Sequence, residues 1–312
     1  MLEKKLRIDS EKRELPVHIH QGFPIGIITS QFTEDTYDYV NWHWHEEIQY
    51  NVVLNGTFCF HVANKEFIIG KGDGIFINTQ HIHMAEAKEP DSSYLFVYFH
   101  PSLLTNQKDS YLYKTYISSL LSDNSASSLL LHQEIDNDKK VIDFILEVKS
   151  LYDEKNKGYE LDILSSLIQL WKYTISCANE KCLITDRNDL FTNDRLKKIF
   201  SYINENYATQ FTLEDISDHI NLSRSHCCRF FKNCVGQNLF QYIINFRINK
   251  SIELLINTNK SIANIAYEVG FNSQSYFTKC FTAIKNKTPN NIRNEFKNKK
   301  LEKEYLIKIG NN

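Results

Sequence analysis

One stretch limits the folds open to this chain more than any other: Ser261-Ile-Ala-Asn-Ile-Ala-Tyr-Glu-Val-Gly-Phe-Asn-Ser-Gln-Ser-Tyr-Phe-Thr-Lys-Cys-Phe281. It reads as a helix, a tight turn and a second helix, the plan that lays a helix in a DNA major groove. A diverged copy, Leu213-Glu-Asp-Ile-Ser-Asp-His-Ile-Asn-Leu-Ser-Arg-Ser-His-Cys-Cys-Arg-Phe-Phe231, lies upstream. Any hydrophobic hairpin with a glycine turn could look like one copy. Two matched copies point to a bipartite DNA reader.

In the second copy Ile262, Ile265 and Val269 recur at helical spacing and make one apolar stripe. Ala266 is small enough for the next helix to approach. Gly270 stands where a helix end commonly needs a left-handed residue. Asn272 or Ser273 is the expected cap of the following helix, which turns Phe277, Phe281 and Ile284 inward and Ser275, Thr278, Lys279 and Thr282 outward. The first copy repeats this with Leu213, Ile216 and Ile220 as the stripe and Ser217 as the small residue. Asn221 takes the glycine's place and Ser223 is the expected cap. Cys227, Phe230, Phe231 and Cys234 face inward, and Arg224, Ser225, Cys228, Arg229 and Lys232 face outward. The apolar run Leu239–Ile256 between the copies reads as a connecting helix about 25 Å long, enough to hold two recognition helices about one DNA turn apart.

From Asp194 to Phe296 the chain resembles the AraC/XylS family of bacterial transcription regulators. The resemblance rests on the Ile265-Ala-x-x-Val-Gly-Phe-x-Ser-x-Ser-Tyr-Phe277 core and on Thr288-Pro289 and Arg293. It implies base-facing roles for Arg224, Ser225, Cys228 and Arg229 in one groove and for Gln274, Ser275, Thr278 and Lys279 in the next. Cys228 departs from what base reading needs, because a thiol is a weak donor; packing alone is expected there.

Charge is divided along the chain. Residues 1–193 hold 18 Lys/Arg against 28 Asp/Glu, and residues 194–300 hold 16 against 8. The basic part coincides with the doubled motif and suits phosphate contacts. The charged start lacks the apolar core of a signal peptide, and no apolar run of spanning length is found. Seven cysteines without a Cys-x-x-Cys pair suit reduced thiols, so a cytoplasmic protein is expected; a redox sensor is the less favoured reading.

Residues 15–100 read as short strands: Ile25–Thr29, Ile48–Leu54, Thr57–Val62, Lys65–Ile69, Gly74–Ile77 and Ser93–Phe99. Asn55-Gly56 is a hairpin signal and Gly70–Gly74 another turn. Many short strands without interleaved helices indicate a small barrel or jelly roll. Trp42-His43-Trp44-His45, Gln49, Gly56, Gly72-Asp73 and His83 resemble the cupin motifs. Cupin enzymes place three histidines and a glutamate around one metal, and here an amide, Gln49, stands in the glutamate's position; His81 is close by in sequence and could compensate.

The favoured reading makes Trp42, His43, Trp44, His45, Gln49 and His83 the lining of an effector pocket or plain barrel structure, with no metal and no cofactor assigned. Metal catalysis and metal sensing remain open. The tryptophans alternate with the histidines, so one pair faces inward. Inward histidines, with Gln49, could hydrogen-bond a polyhydroxylated ligand; an inward tryptophan could stack on a sugar ring.

Residues 100–135 are irregular, with a loop at Ser122–Ser128. Two helices follow as an antiparallel hairpin turning at Lys155–Gly158. The first is marked by Val141, Ile142, Ile145, Val148 and Leu151-Tyr152, the second by Leu161, Leu164, Leu167-Ile168, Trp171 and Ile175. The family resemblance implies dimerisation there, and the alternative is that the stripe only covers the barrel.

The expected class is α+β and multidomain. A cupin-like β-barrel (1–135) and a helical hairpin (136–182) precede a polar linker (183–193) and an all-α double helix-turn-helix domain (194–297). The expected protein is an effector-responsive DNA-binding regulator, foremost an activator of carbohydrate-use genes, and not an enzyme. Its partners are duplex DNA, a small-molecule effector such as a sugar, RNA polymerase and a second copy of itself. The competing classes are a cupin metalloenzyme with a DNA-binding tail and a structural DNA-binding protein without a ligand.

Overall fold

The computed structural model describes residues 14, 16–32, 39–121, 126–181 and 187–296. The chain divides into two compact units, with the boundary between Lys197 and Lys198.

The first unit is built on two antiparallel sheets. Strands β1 (Ile25–Gln31), β8 (Ser93–Phe99), β3 (Ile48–Asn55), β6 (Gly74–Ile77) and β9 (Ser128–Leu131) form one sheet, in that order. Strands β2 (Tyr39–His43), β7 (His83–Ala87), β4 (Thr57–Val62) and β5 (Lys65–Gly70) form the other. Alternation sorts each strand's side chains between two cores. Val53, Ile75, Ile77, Tyr94 and Phe96 meet Phe58, Phe60, Val62 and Ile69 between the sheets. Ile48, Tyr50, Val52, Phe76, Leu95, Val97 and Phe99 point the other way, to helices α2 (Asp136–Glu154) and α3 (Tyr159–Glu180). The strands of the central sheet are therefore apolar on both faces.

The sequence expectation of a jelly-roll-like barrel with a helical hairpin holds. Three strands, β2, β7 and β9, lie outside the β-rich runs. Asn55-Gly56 is not a hairpin turn within one sheet, since β3 and β4 belong to different sheets. The chain crosses between sheets at Gly56, which has φ +76° and backs onto Ser92 so closely that a Cβ would fall 2.2 Å from its Oγ. The tight two-residue connection is instead between β4 and β5, at Ala63-Asn64.

The stripe of α3 also differs in register. Its buried side is Ile163, Ser166, Leu167, Leu170, Trp171, Thr174 and Cys177, while Leu161 and Ile168 are exposed. Polar Thr174 goes inside because the buried Tyr50 hydroxyl needs a partner; the two oxygens are 2.9 Å apart. Part of the expected linker, residues 182–186, lies outside the described residues, as do 122–125 of the expected loop. Residues 187–193 are helical, the opening turns of α4 (Arg187–Asn206). Asn193 carries that helix's first bonds to the barrel, accepting from Ile82 N at 2.9 Å and donating to Gln80 O at 3.0 Å.

The second unit is helical: the end of α4, α5 (Leu213–His219), α6 (Arg224–Val235), α7 (Leu239–Asn257), α8 (Ile262–Glu268), α9 (Gln274–Lys285) and helical residues 289–296. Phe200, Phe231 and Tyr242 form an aromatic cluster for the first half, with centroids 5.1–5.7 Å apart. Phe271, Phe277 and Phe281 serve the second half, packing on Ile248, Leu255 and Ile265 from α7 and α8. Helix α7 belongs to both halves, which explains why it is buried on most sides.

Candidate DNA interface and sensor pocket

The two helix-turn-helix units repeat each other bond for bond. The first helix of each is capped by a hydroxyl: Thr212 accepts from Asp215 N, and Ser261 from Asn264 N. Each then ends in a Schellman motif. In α5, Asn221 N donates to Asp218 O (3.1 Å) and Leu222 N to Ser217 O (2.9 Å). In α8, Gly270 N donates to Tyr267 O (3.0 Å) and Phe271 N to Ala266 O (2.9 Å). The left-handed residues are Asn221 (φ 53°) and Gly270 (φ 87°), as the sequence indicates. Ser223 and Ser273 cap the second helices, accepting from His226 N and Tyr276 N.

Each second helix buries its aromatic side and leaves its polar side open. Phe231, Phe277 and Phe281 are fully buried. Arg224, Ser225, Arg229 and Lys232 on α6 are exposed, as are Gln274, Ser275 and Lys279 on α9; Cys228 and Thr278 are half-buried. Two arginines fix the turns behind these helices. Arg247 donates to Tyr207 O (2.8 Å) and Thr209 O (3.0 Å), and Arg293 to Lys260 O (2.7 Å).

In the barrel, a cluster of imidazoles sits between the sheets. His43 on β2 lies opposite His83 on β7, with ring centroids 4.2 Å apart; His45 is 5.0 Å from His83 and 6.0 Å from His43. All three are buried, and each presents a ring nitrogen within 4.8 Å of the others'. Gln49 reaches them from β3, its Oε1 2.7 Å from His45 Nε2, and Asn51 backs it, accepting from Gln49 Nε2 at 2.8 Å. Burial holds His45 below its ordinary pKa. His83 falls well below, through burial and then the neighbouring His43 and His45 rings.

The histidines therefore take the inward face, and the tryptophans do not join them. Trp42 lies near His61, with ring centroids 6.0 Å apart, and the Lys197 ammonium sits 4.0 Å above the ring of half-buried Trp44. His81 also stays out of the cluster, its Nδ1 3.0 Å from Thr79 O.

Glu14 is the residue that sequence reasoning missed. Its N–H donates to Trp44 O (2.7 Å), and its Oε2 lies 3.6 Å from His43 Nε2. Burial, then Glu47, pushes its carboxyl up to about 8. Nothing in the charged run Glu11-Lys-Arg-Glu14 marks the last residue as buried.

Comparison with known proteins matches the two units separately. Residues 24–170 fit the AraC-like ligand binding domain, and residues 216–295 fit a helix-turn-helix domain. Over 287 residues the chain is 31% identical to the HTH-type transcriptional regulator YdeC of Bacillus subtilis, covering 92% of this chain and 97% of that one. The chain belongs to the AraC family of transcription regulators. The lactose operon transcription activator of Staphylococcus xylosus is 26% identical, over 74% of this chain and 78% of its own. The transcriptional activator RhaR of Mannheimia succiniciproducens is 27% identical, over 56% and 60%.

In this AraC-family regulator the ligand-binding part matched by the family model contains the imidazole cluster. Whether those residues could hold the metal of the cupin fold is decided by nitrogen lone pairs. His83 Nδ1 is 2.8 Å from His81 O and so carries the proton. Its Nε2, fully buried, has no hydrogen-bond partner and directs a lone pair inward. His45 Nε2 faces Gln49 Oε1 at 2.7 Å, and the three imidazoles are the donors that a metal there would use. The thiols are of another kind: burial pushes Cys59 and Cys177 up to about 12 and Cys227 and Cys234 up to about 11, so none of these four is a reactive thiolate at neutral pH. Among the described residues no helix is long and apolar enough to cross a membrane.

Proposed function

We propose that this regulator is a cytoplasmic, effector-responsive activator that grips two successive major grooves through α6 and α9. The observation that carries the reading is the matched pair of capped helices, each with a buried aromatic side and an exposed polar and basic side. Arg224, Ser225, Arg229 and Lys232 serve one groove, and Gln274, Ser275, Thr278 and Lys279 the next; Cys228, half-buried, contributes packing. Binding an effector in the barrel favours the arrangement able to hold both grooves, to the extent that the effector prefers that arrangement. The lactose operon activator among the relatives supports carbohydrate-use genes as targets. Activation there would include contact with RNA polymerase. The exposed, positionally matched basic faces favour this reading over a metalloenzyme with a DNA-binding tail.

Selection from random duplex DNA at defined salt tests this. An enriched site with two sequence blocks about one turn apart is expected. Arg229→Ala should weaken binding by about 1–3 kcal/mol and relax preference at one position. Equal weakening on every sequence would reassign Arg229 to a phosphate.

We further propose that the protein is a homodimer joined through α3. Leu161 and Ile168 stand seven residues apart on its outer face, 73% and 50% exposed, and Leu146 is exposed on α2. A seven-residue apolar repeat is the seam of a helix pair. Sedimentation of a Leu161→Asp/Ile168→Asp variant should show monomers, with the association weakened by about 3 kcal/mol or more and the melting transition kept. A variant that sediments like the wild type would place the interface elsewhere.

A further inference from the structure

A separate group of donors lies on the other face of the four-stranded sheet, away from the imidazole cluster. Alternation along β4 sends Phe58, Phe60 and Val62 into the core between the sheets and leaves Cys59 and His61 together on the outer face. Glu66 stands opposite His61 on β5, and Glu86 opposite Cys59 on β7. Cys59 Sγ is 3.3 Å from His61 Nε2, and Glu66 Oε2 is 4.0 Å from His61 Nδ1. Cys59, His61 and Glu66 each offer one donor atom, and the three atoms lie within 4.8 Å of one another.

Packing explains only part of this. A buried thiol commonly serves as a small apolar side chain, which accounts for Cys59 by itself. It does not account for an imidazole and a carboxylate gathered at the sulfur from two strands. The local field is negative. After burial, Glu66 pushes the Cys59 thiol up and Glu86 adds to it, with Lys88 as the opposing charge. Burial holds His61 below its ordinary pKa, while the same two carboxylates pull it back up. A cation is the ligand such a field attracts.

We propose that Cys59, His61 and Glu66 form a site for one divalent transition-metal ion, Zn²⁺ by preference, with the fourth position open to water. A thiolate, an imidazole and a carboxylate suit Zn²⁺ and do not suit Ca²⁺ or Mg²⁺. Bonds of about 2.3 Å to sulfur and 2.0–2.1 Å to nitrogen in a tetrahedron put those two donors about 3.5 Å apart. The observed 3.3 Å already meets that spacing. With the imidazole proton on Nδ1, the side facing Glu66, Nε2 is left for the ion. The ion takes the place of the thiol proton: one S–H bond breaks, the proton goes to solvent, and the sulfur pair binds the metal.

The surroundings fit an ion that comes and goes. Cys59 is fully buried, the His61 side chain is 16% exposed and that of Glu66 59%, so the site opens to water at its carboxylate end. The Trp42 ring lies beside His61, with centroids 6.0 Å apart. Glu86 is bonded to Lys88 at 3.0 Å and stays outside the donor set. Ligation would clamp β5, the edge strand of its sheet, to β4.

The test needs neither DNA nor effector, so its failure leaves the proposed function standing. The reduced full-length protein is stripped with a chelator and titrated with Co²⁺ alone, following the thiolate-to-cobalt charge-transfer band. The Zn²⁺-loaded wild type is examined by X-ray absorption. Both signals report sulfur, so metal held by imidazoles elsewhere does not mimic them. The band should saturate at one Co²⁺ per site and bleach with Zn²⁺, and one sulfur should appear at about 2.3 Å. Cys59→Ser should abolish the band, and His61→Gln and Glu66→Gln should each weaken binding at least about tenfold. His83→Gln should leave the band in place. No thiolate band, or one that survives Cys59→Ser, would overturn the site. Unchanged affinity in Glu66→Gln would overturn the carboxylate assignment. If Cys59→Ser fails to fold, the wild-type sulfur count and His61→Gln still decide.

Discussion

Gly270→Val will destroy the second helix-turn-helix unit. Gly270 has φ +87°, and a Cβ built there falls 2.2 Å from the carbonyl oxygen of Tyr207 and 2.9 Å from the Arg247 guanidinium. Neither neighbour can retreat. Tyr207 O is backbone, and Arg247 is held by its bonds to Tyr207 O and Thr209 O. The left-handed conformation alone costs an ordinary residue about 1–2 kcal/mol, more when the side chain is β-branched. With the clash, a loss of about 3 kcal/mol or more is expected in urea denaturation of the full chain, together with loss of specific DNA binding. Asn221→Gly is the matched control. Asn221 holds the corresponding left-handed position at φ 53°, so glycine there should change stability by no more than about 1 kcal/mol. If Gly270→Val denatures and binds DNA as the wild type does, the turn does not have the tight left-handed form described above.

The contrast between these two positions shows which parts of the fold were legible in the sequence. Caps, left-handed turn residues and apolar repeats at three and four are local signals, and the helix-turn-helix units are built almost wholly from them. Ser223, Asn221 and Gly270 could each be placed before any tertiary contact was known, and the cap of α9 was narrowed to Asn272 or Ser273. Long-range facts were not legible in the same way. Asn55-Gly56 has the composition of a hairpin turn, but which sheet β4 joins depends on β7, whose His83-Met-Ala-Glu-Ala87 does not read as a strand. In α3, apolar residues occur on two faces, and tertiary contacts, among them the Tyr50 hydroxyl on Thr174 and the packing of Leu167, Leu170 and Trp171, decide that Thr174 lies inside and Ile168 outside.

The sensor pocket divides along the same line. His43, His45, Gln49 and His83 could be grouped because strand alternation and the cupin spacing are local. That they take the inward face and the tryptophans do not is a consequence of packing. Glu14 had no signal at all, since a glutamate in a charged run normally lies in water. Its burial follows from a strand-like pairing with Trp44 and from the bonds that fasten Val17 to Tyr98, contacts separated by 30 and 81 residues.

Lys181→Met will loosen the helical hairpin from the barrel. Asp138, in the first turn of α2, is fully buried; its carboxylate accepts from Lys181 Nζ at 2.8 Å and from His132 N at 2.9 Å. Lys181 also donates to Leu130 O on β9, so one ammonium ties the end of α3, the start of α2 and the edge of the sheet. Methionine keeps the stem and removes the charge, leaving the buried carboxylate with only the His132 N–H and the Cys177 thiol as donors. Breaking a buried pair from one side costs about 3–5 kcal/mol; because Lys181 is 25% exposed and water can reach its side, the lower end, about 3 kcal/mol, is expected. The double variant Lys181→Met/Asp138→Leu should recover part of that loss, since an apolar pair carries no desolvated charge, and should retain the cost of the orphaned His132 N–H; because that bond is only part-buried, the lower end of about 1–3 kcal/mol is expected. The comparison separates two roles for the pair. If the double variant matches the single one, Asp138 stabilises the barrel through His132 and the turn it closes. If it recovers stability but sediments as a monomer, the pair's contribution is to hold α3 in the register that presents Leu161 and Ile168 together, and specificity of assembly is what the buried charge supplies.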